Sequence, residues 1–158
     1  MAVSDYINKK VDLSAYSGGI LYDRRIETVP DLARPGEGGE LCTGIRKLMQ
    51  RFAIHLFTIQ GSVLHEPSRG CSFLPLVMSG SLRTRADVQL AFAESRAVIR
   101  RYMAQEESTD DPDDEKLYNA ELTNVEFTDN GQIIIDVQIE SQAREVTTYI
   151  IPISATVA

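Results

Sequence analysis

Three β-strands are predicted by residues 117–153, which read LYNAELTNVEFTDNGQIIIDVQIESQAREVTTYIIPI. The segments 117–127, 132–140 and 145–153 are rich in β-branched and aromatic residues, which favour strands. Asn130-Gly131 lies between the first two segments, and Asn-Gly is the strongest short hairpin signal. Within 132–140, apolar residues at every odd position predict an antiparallel meander with one buried face. Pro152 cannot donate to a ladder, which places the last strand at an edge of the sheet or ends it there.

Two amphipathic helices are predicted before these strands. From Glu40, apolar residues recur at steps of three and four until about Thr58. The second helix extends from about Thr84 to Gln105 and carries two adjacent apolar stripes. One of these stripes consists of Ala86, Leu90, Ala93 and Ala97. Alanines allow another helix or a sheet to approach closely. Helices followed by strands predict an α+β fold, with both helices packed on the three-stranded meander.

Residues 1–39 are predicted to form an extended N-terminal arm, because glycines and prolines interrupt them repeatedly. Ile20, Leu21 and Tyr22 form the compact apolar patch of this arm. We expect this patch either to form a short strand or to become ordered on a partner. Residues 40–158 would then form a single α+β domain.

The net charge of −7 originates in one segment. Seven of the 23 Asp and Glu residues lie between Glu106 and Glu115, and the remaining 16 equal the 16 Lys and Arg. We expect residues 106–115 to form a solvent-facing acidic loop, or to meet a basic patch on a neighbour. A protein that binds duplex nucleic acid needs a basic face, so no nucleic-acid partner is predicted.

The cysteines and histidines predict neither a disulfide framework nor a metal site. Two cysteines in 158 residues favour a reducing compartment. Cys42 and His55 would lie more than three turns apart on the first helix, and His65 and Cys71 lack the paired spacing of zinc ligands. No apolar run reaches 18 residues and no secretory h-region is present, so we predict a cytoplasmic protein without a membrane span.

Catalytic motifs are scarce in this sequence. There is no Gly-x-Ser-x-Gly elbow, and the histidines that could act as a base are His55 and His65. Glu66 and Glu94 are the candidate carboxylates for glycoside hydrolysis, because they lie outside the acidic segment. A solvated Glu66 and an ion-paired Glu94 are the simpler interpretation. We therefore predict no enzymatic activity and no cofactor, with a lysozyme-like hydrolase as an alternative.

Two short motifs follow the first predicted helix: residues 57–61 read FTIQG and residues 68–73 read SRGCSF. Their order resembles the baseplate wedge, or sheath-initiator, family of contractile phage tails, with its counterpart in type VI secretion baseplates. That family has an amphipathic helix, Thr-x-x-Gly, another Gly followed by an apolar position, a second helix closed by Glu-Pro-Arg, and a small antiparallel sheet. Here Glu94-Ser95-Arg96 stands in place of Glu-Pro-Arg. The resemblance covers roughly residues 40–153.

The resemblance implies a structural role in the virion baseplate, assembled in the host cytoplasm. Six copies around the tail axis would provide the platform on which the tail sheath begins to polymerise. By position, Glu94 and Arg96 would dock on a helical bundle of neighbouring wedge subunits. Pairing within the chain, of Glu94 with Arg101 or of Arg96 with Asp87, is the alternative.

Strand exchange is the second implied contact, because sheath subunits of contractile tails interlock through swapped strands. An exposed sheet edge invites strand addition, so Val146, Thr148 and Ile150 are predicted to dock a strand of the sheath protein. Capping of this edge by Pro152 or by Ile20–Tyr22 is the alternative. Further partners would be the other wedge subunits and the tail tube or hub. A small tail-completion or adaptor protein from another position in the virion is an alternative function.

Overall fold

A computed structural model describes residues 12–13, 20–22, 25–27, 41–129 and 131–154. Within these ranges, three α-helices and a three-stranded antiparallel sheet form an α+β fold. In chain order the elements are β1 (Asp12–Leu13), β2 (Ile20–Tyr22), β3 (Arg25–Glu27), β4 (Leu41–Cys42), α1 (Gly44–Phe57), α2 (Phe73–Met78), α3 (Arg85–Glu106), β5 (Leu117–Phe127), β6 (Gln132–Ser141) and β7 (Val146–Ser154). A short 3-10 turn, Asp113–Glu115, precedes β5.

The sheet has the order β5-β6-β7, and each strand is antiparallel to the next. The predicted boundaries of all three strands are confirmed to within one residue. Along β6, side chains at odd positions from Ile133 to Ser141 are buried and those at even positions are half-buried, as the alternation predicts. Asn130 of the predicted hairpin lies outside the described residues. Thr128 N–H donates to the Gln132 carbonyl beside it.

Helix α3 begins at a capping box. The Thr84 hydroxyl accepts from Asp87 N–H, and the Asp87 carboxylate accepts from Thr84 N–H at 2.8 Å. Helix α1 begins at Gly44 and not at Glu40, because Leu41 and Cys42 form β4 and pair with β1. Cys42 therefore lies outside the helix that contains His55, which corrects the sequence-based placement.

The core lies between the helices and one face of the sheet. Helix α1 contacts β6 and β7, α3 contacts β5, and the two helices contact each other. Phe92 of α3 joins the layers, because its ring lies 6.2 Å from Phe52 of α1 and 6.4 Å from Phe73 of α2. All three rings are buried. Helix α2 lies between the two helices predicted from the sequence, and buried Phe73 and Val77 attach it to the core.

Parts of the predicted N-terminal arm form short strands. Strand β1 pairs with β4, and β2 pairs with β3, both antiparallel. Strand β2 consists of Ile20–Tyr22, the patch that was expected to form a strand or to become ordered on a partner. The side chains of these three residues lie outside the described part of the chain, as do the remaining residues of the arm.

Candidate functional site

The β5 edge of the sheet is closed by the chain itself. Two register shifts interrupt its pairing with β6, one between Leu117 and Asn119 and one between Leu122 and Asn124. Bulges of this kind twist an edge strand and discourage further pairing. Two arginines of α3 then bind main-chain carbonyls of β5. Arg85 donates to Val125 O at 2.9 Å and Arg96 donates to Ala120 O at 3.1 Å.

The β7 edge differs at each of these points. Its pairing with β6 continues without a register shift from Val146 to Ser154. The strand has the sequence VTTYIIPIS, which contains no charged residue. Among the described strands, β7 pairs with β6 and with no other. A straight, uncharged edge strand is the kind that accepts an added strand.

The orientation of the β7 main chain follows from one hydrogen bond. Ser141 N–H donates at 2.9 Å to the carbonyl of Glu145, which precedes β7 and by the register lies opposite Ser141. Hydrogen-bonded and non-hydrogen-bonded pairs alternate in an antiparallel ladder. Thr147 and Tyr149 therefore bond to β6. The main-chain groups of Val146, Thr148 and Ile150, the three predicted docking residues, point to the outer edge.

Pro152 supports this assignment. It pairs with Ile134 and has the same parity as Thr148, so its missing N–H falls on the outer side, where a ladder bond to β6 is not lost. Pro152 therefore neither ends β7 nor interrupts the sheet. It removes a donor at one end of the outer edge.

One element of the N-terminal arm approaches β7. Strand β3 contacts β7 with Cα atoms within 8 Å. The described strands nevertheless form separate sheets, with β2 and β3 in one and β5, β6 and β7 in another. The alternative that the arm caps this edge therefore involves β3, the strand that pairs with Ile20–Tyr22.

The outer face of α3 carries an exposed apolar stripe, which consists of Ala86, Leu90, Ala93, Ala97 and Ala104. These residues recur at steps of four and three, with one further step of seven, as in the seam of a coiled coil. Leu90 is 64% exposed. The buried side of the same helix faces the core through Val88, Phe92 and Ile99. The α3 stripe is therefore a face that another helix can pack against.

Glu94 and Arg96, the predicted wedge-docking pair, are in different environments. Glu94 is exposed beside the α3 stripe and makes no ion pair within the described residues. Arg96 is half-buried and donates to Ala120 O. Neither of the alternative pairs forms, because the Asp87 carboxylate caps the helix and Arg101 lies over the Tyr102 ring.

Ser95 occupies the position of the family's proline. It is buried, 1% exposed, and its hydroxyl has no hydrogen-bond partner in the part of the chain that the structure describes. Helix α3 continues through it to Glu106, as the sequence predicts for a serine at this position. The neighbours Glu94 and Arg96 consequently lie on one continuous helix and not at a bend.

The two motifs that carry the family resemblance meet in space. Cys71 N–H donates to Thr58 O at 2.9 Å, and Ile59 and Cys71 form a parallel bridge. Gly70 has a φ of +98°, and a side chain there would collide with Thr58 O, so this position requires glycine. Residues 57–61 and 68–73 therefore form one close-packed unit at the end of α1.

The acidic segment is held to the chain at both ends, which corrects the prediction of a wholly solvent-facing loop. Glu115 is buried, and its carboxylate binds Lys47 Nζ at 2.6 Å and Gly44 N–H at 3.3 Å. Glu106 binds Arg51 and Arg69 at 3.5 and 3.4 Å. The middle of the segment, residues 108–110, is exposed as predicted.

His55 is a buried titratable group whose pKa is changed by its surroundings. It is 2% exposed, and Nε2 lies 3.2 Å from a carboxylate oxygen of Glu106. Nδ1 is buried and has no hydrogen-bond partner among the described residues. Burial lowers the pKa of His55, and the neighbouring Glu106 carboxylate opposes this effect. The ring also stacks on Tyr102, so His55 joins α1 to the end of α3.

The fold does not bring the remaining candidate catalytic and metal-binding residues together in one site. Glu66 is exposed, as expected, and pairs with Arg69 at 3.3 Å. Glu94 makes no ion pair within the described residues, contrary to the expectation. Across 41–129 and 131–154, no three His, Cys, Asp or Glu side chains are placed to hold a metal ion. No helix among the described residues has the length and apolar character needed to cross a membrane.

Comparison with known proteins identifies no family model that matches the chain, and no significantly similar protein among those with curated descriptions.

Sequence reasoning missed one feature of these surfaces. The carbonyls of β5 bound by Arg85 and Arg96 could not be found, because the contacts join residues 40 and 24 positions apart. The parity of the predicted docking residues of β7 has a further signal in the sequence. Because Pro152 has no N–H to donate, its main chain in a regular strand faces the outer edge. The main-chain groups of residues an even number of positions away then face the same edge.

Proposed function

We propose that the chain is a structural subunit of the baseplate wedge of a contractile phage tail, and that it initiates polymerisation of the tail sheath. The outer edge of β7 carries this proposal. That edge is straight, uncharged and directed outward through the main chain of Val146, Thr148 and Ile150. A strand of the sheath protein would extend the sheet there, with main-chain hydrogen bonds supplying affinity and side-chain pockets supplying specificity.

The α3 stripe supplies the second contact in this proposal. Another wedge subunit would pack a helix on Leu90 and the alanines around it, where the small side chains allow the two backbones to approach closely. Glu94 lies beside this stripe and makes no ion pair within the described residues, so it can bind a cation on the partner and fix the register. Arg96 would contribute less, because Ala120 O already accepts from its guanidinium.

The order of elements supports the same proposal. Two amphipathic helices followed by a three-stranded meander match the outline of the resembled family over residues 40–153. The close packing of Thr58, Gly70 and Cys71 gives a physical reason for the spacing of its two motifs. No catalytic step is part of this role. Six copies around the tail axis would offer the sheath six equivalent β7 edges.

Electron cryo-microscopy of virions that carry this chain tests the proposal. We expect six copies in the baseplate, each with a sheath strand beside β7 and a helix of another wedge subunit on the α3 stripe. Location of the chain at the neck or tube end would instead identify a tail-completion or adaptor protein. Absence of the chain from the particle would reject a virion role altogether.

A further inference from the structure

The outer face of the sheet, which is turned away from the helices, contains a groove of about 180 Å³. The groove is lined by residues from all three strands: Asn119, Glu121, Gln138, Glu140 and Val146. Each of these residues belongs to the described part of the chain. Small-molecule sites usually measure about 300–1,000 Å³, so the groove is small for a cofactor and suits a single side chain.

Two cross-strand pairs of polar residues form most of this groove. Glu121 of β5 lies opposite Gln138 of β6, and Asn119 lies opposite Glu140. Residues directly opposite each other in an antiparallel pair have their side chains on the same face, with Cβ atoms about 5 Å apart. The register therefore places the carboxylate of Glu121 beside the amide of Gln138.

The groove has an excess of negative charge. Strands β5, β6 and β7 contain no Lys or Arg. Arg144, in the turn after β6, binds the carboxylate of Glu140 at 2.9 Å. The exposed carboxylate of Glu121 accepts from the side-chain amide of Asn119 at 2.9 Å and makes no ion pair within the described residues. One carboxylate of the groove is therefore left without a cation.

Arg144 shows how a guanidinium binds to this part of the sheet. Its guanidinium binds Glu140 and lies 3.8 Å from the centre of the Tyr118 ring. A guanidinium donates through a planar fork of N–H groups, so it can bind a carboxylate and a neighbouring amide oxygen together, whereas an ammonium is a point charge. Glu121 and Gln138 supply such a pair of acceptors on the adjacent row of the sheet.

We propose that this groove binds one arginine side chain of a partner protein, with the guanidinium between Glu121 and Gln138. Val146 is apolar and 53% exposed, so its side chain would pack against the methylene groups of that arginine. The inference goes beyond the proposed function and does not depend on it. The groove lies on the face of the sheet, whereas the sheath strand is proposed to pair with the main chain at the β7 edge.

Titration of the isotope-labelled full chain with N-acetyl-arginine amide, followed by NMR, tests the groove. We expect saturable shifts in the side-chain amide signals of Asn119 and Gln138, because both amides line the groove. Glu121→Gln should weaken binding about tenfold, since it removes a charge-assisted hydrogen bond. N-acetyl-lysine amide should bind several-fold more weakly than the arginine amide, because its ammonium lacks the planar fork.

Asp110→Asn is the matched control for net charge, because it removes one negative charge from the exposed middle of the acidic segment. This variant should bind the arginine amide as the original chain does, and the spectrum of each variant shows that it is folded. Equal weakening by Glu121→Gln and Asp110→Asn would overturn the inference, as would shifts confined to residues 106–115 or equal affinity for the lysine amide. None of these results affects the proposed sheath contact, which is judged in the virion.

Discussion

The two edge strands of the sheet, β5 and β7, differ in how they are protected from pairing with a further strand. Strand β5 carries two bulges, the acidic residues Glu121 and Glu126, and two carbonyls bound by arginines of α3. Strand β7 is regular, uncharged and directed outward at every second residue. Both strands pair with β6 and both rest on helices, so burial does not explain the difference.

The contrast indicates which edge is available for assembly. A sheet that needed only to avoid aggregation would protect both edges, and β5 shows that this chain can do so within the strand. At β7 the strand itself has no charge and no register shift, and Pro152 is the residue that discourages further pairing.

The largest predicted effect concerns the anchor at the start of β5. Glu115→Ala removes the buried carboxylate that binds Lys47 Nζ and accepts from Gly44 N–H. Loss of one member of a buried ion pair costs about 3–5 kcal/mol. Urea denaturation should show this decrease in the free energy of unfolding.

The matched control for Glu115→Ala is Asp113→Ala. Asp113 lies two residues before Glu115, and its exposed carboxylate pairs with Lys116. An exposed ion pair contributes about 0–1 kcal/mol, so this variant should unfold almost like the original chain. Equal effects of the two substitutions would show that the buried pair does not anchor β5.

A smaller effect is expected at the arginines that close the β5 edge. Arg96→Ala removes a charged donor from Ala120 O, and a hydrogen bond to a charged group contributes about 1.5–3 kcal/mol. Arg100→Ala, on the exposed side of α3, should change stability by less than about 0.5 kcal/mol. Urea denaturation again measures both. If Arg96→Ala is neutral, α3 does not hold this edge.

The smallest effect is a pH dependence that originates in α1, the helix beneath β7. The pKa of His55 is lowered in the folded chain, chiefly by burial. Below the ordinary value of 6.5 the unfolded chain binds the proton first. Stability from this group is therefore present above that pH and decreases as the pH falls below it.

Thermal unfolding between roughly pH 5 and 7 measures this dependence. His55→Gln should flatten the slope, whereas His65→Gln, at an exposed position, should leave it unchanged. Glu106→Gln should steepen the slope, because the carboxylate raises the pKa of His55 against the effect of burial. If His55→Gln does not change the pH dependence of the unfolding temperature, protonation of the buried ring does not destabilise the folded chain.

Local patterns were sufficient to predict most of the fold. The alternation in residues 132–140 predicted the buried face of β6, and the apolar stripes predicted a helix from about Thr84, where α3 has its N-cap. Helix α2 was missed for a local reason as well. Six residues are too short for a helical period, and Pro75 indicates a break, although proline is tolerated in the first turn of a helix.

Sequence patterns could not predict contacts between residues that lie far apart in the chain. Glu115 belongs to a run of acids that predicts solvation, but its ion pair is with Lys47, 68 positions away. The same limit applies to the candidate surfaces. The α3 stripe was predicted from helical periodicity, and the docking residues of β7 from the expected sheet edge and the family resemblance. The role of Arg96 depends on how α3 packs against β5.

The central claim is that a sheath strand pairs with the outer edge of β7. Its most direct test is the count of sheathed tails, by negative-stain electron microscopy, from a phage whose own copy of this chain is replaced by Thr148→Pro. The account predicts baseplates with bare tail tubes from Thr148→Pro, and normal sheathed tails from the control Thr148→Ala. Normal sheathed tails from a folded Thr148→Pro protein would contradict it.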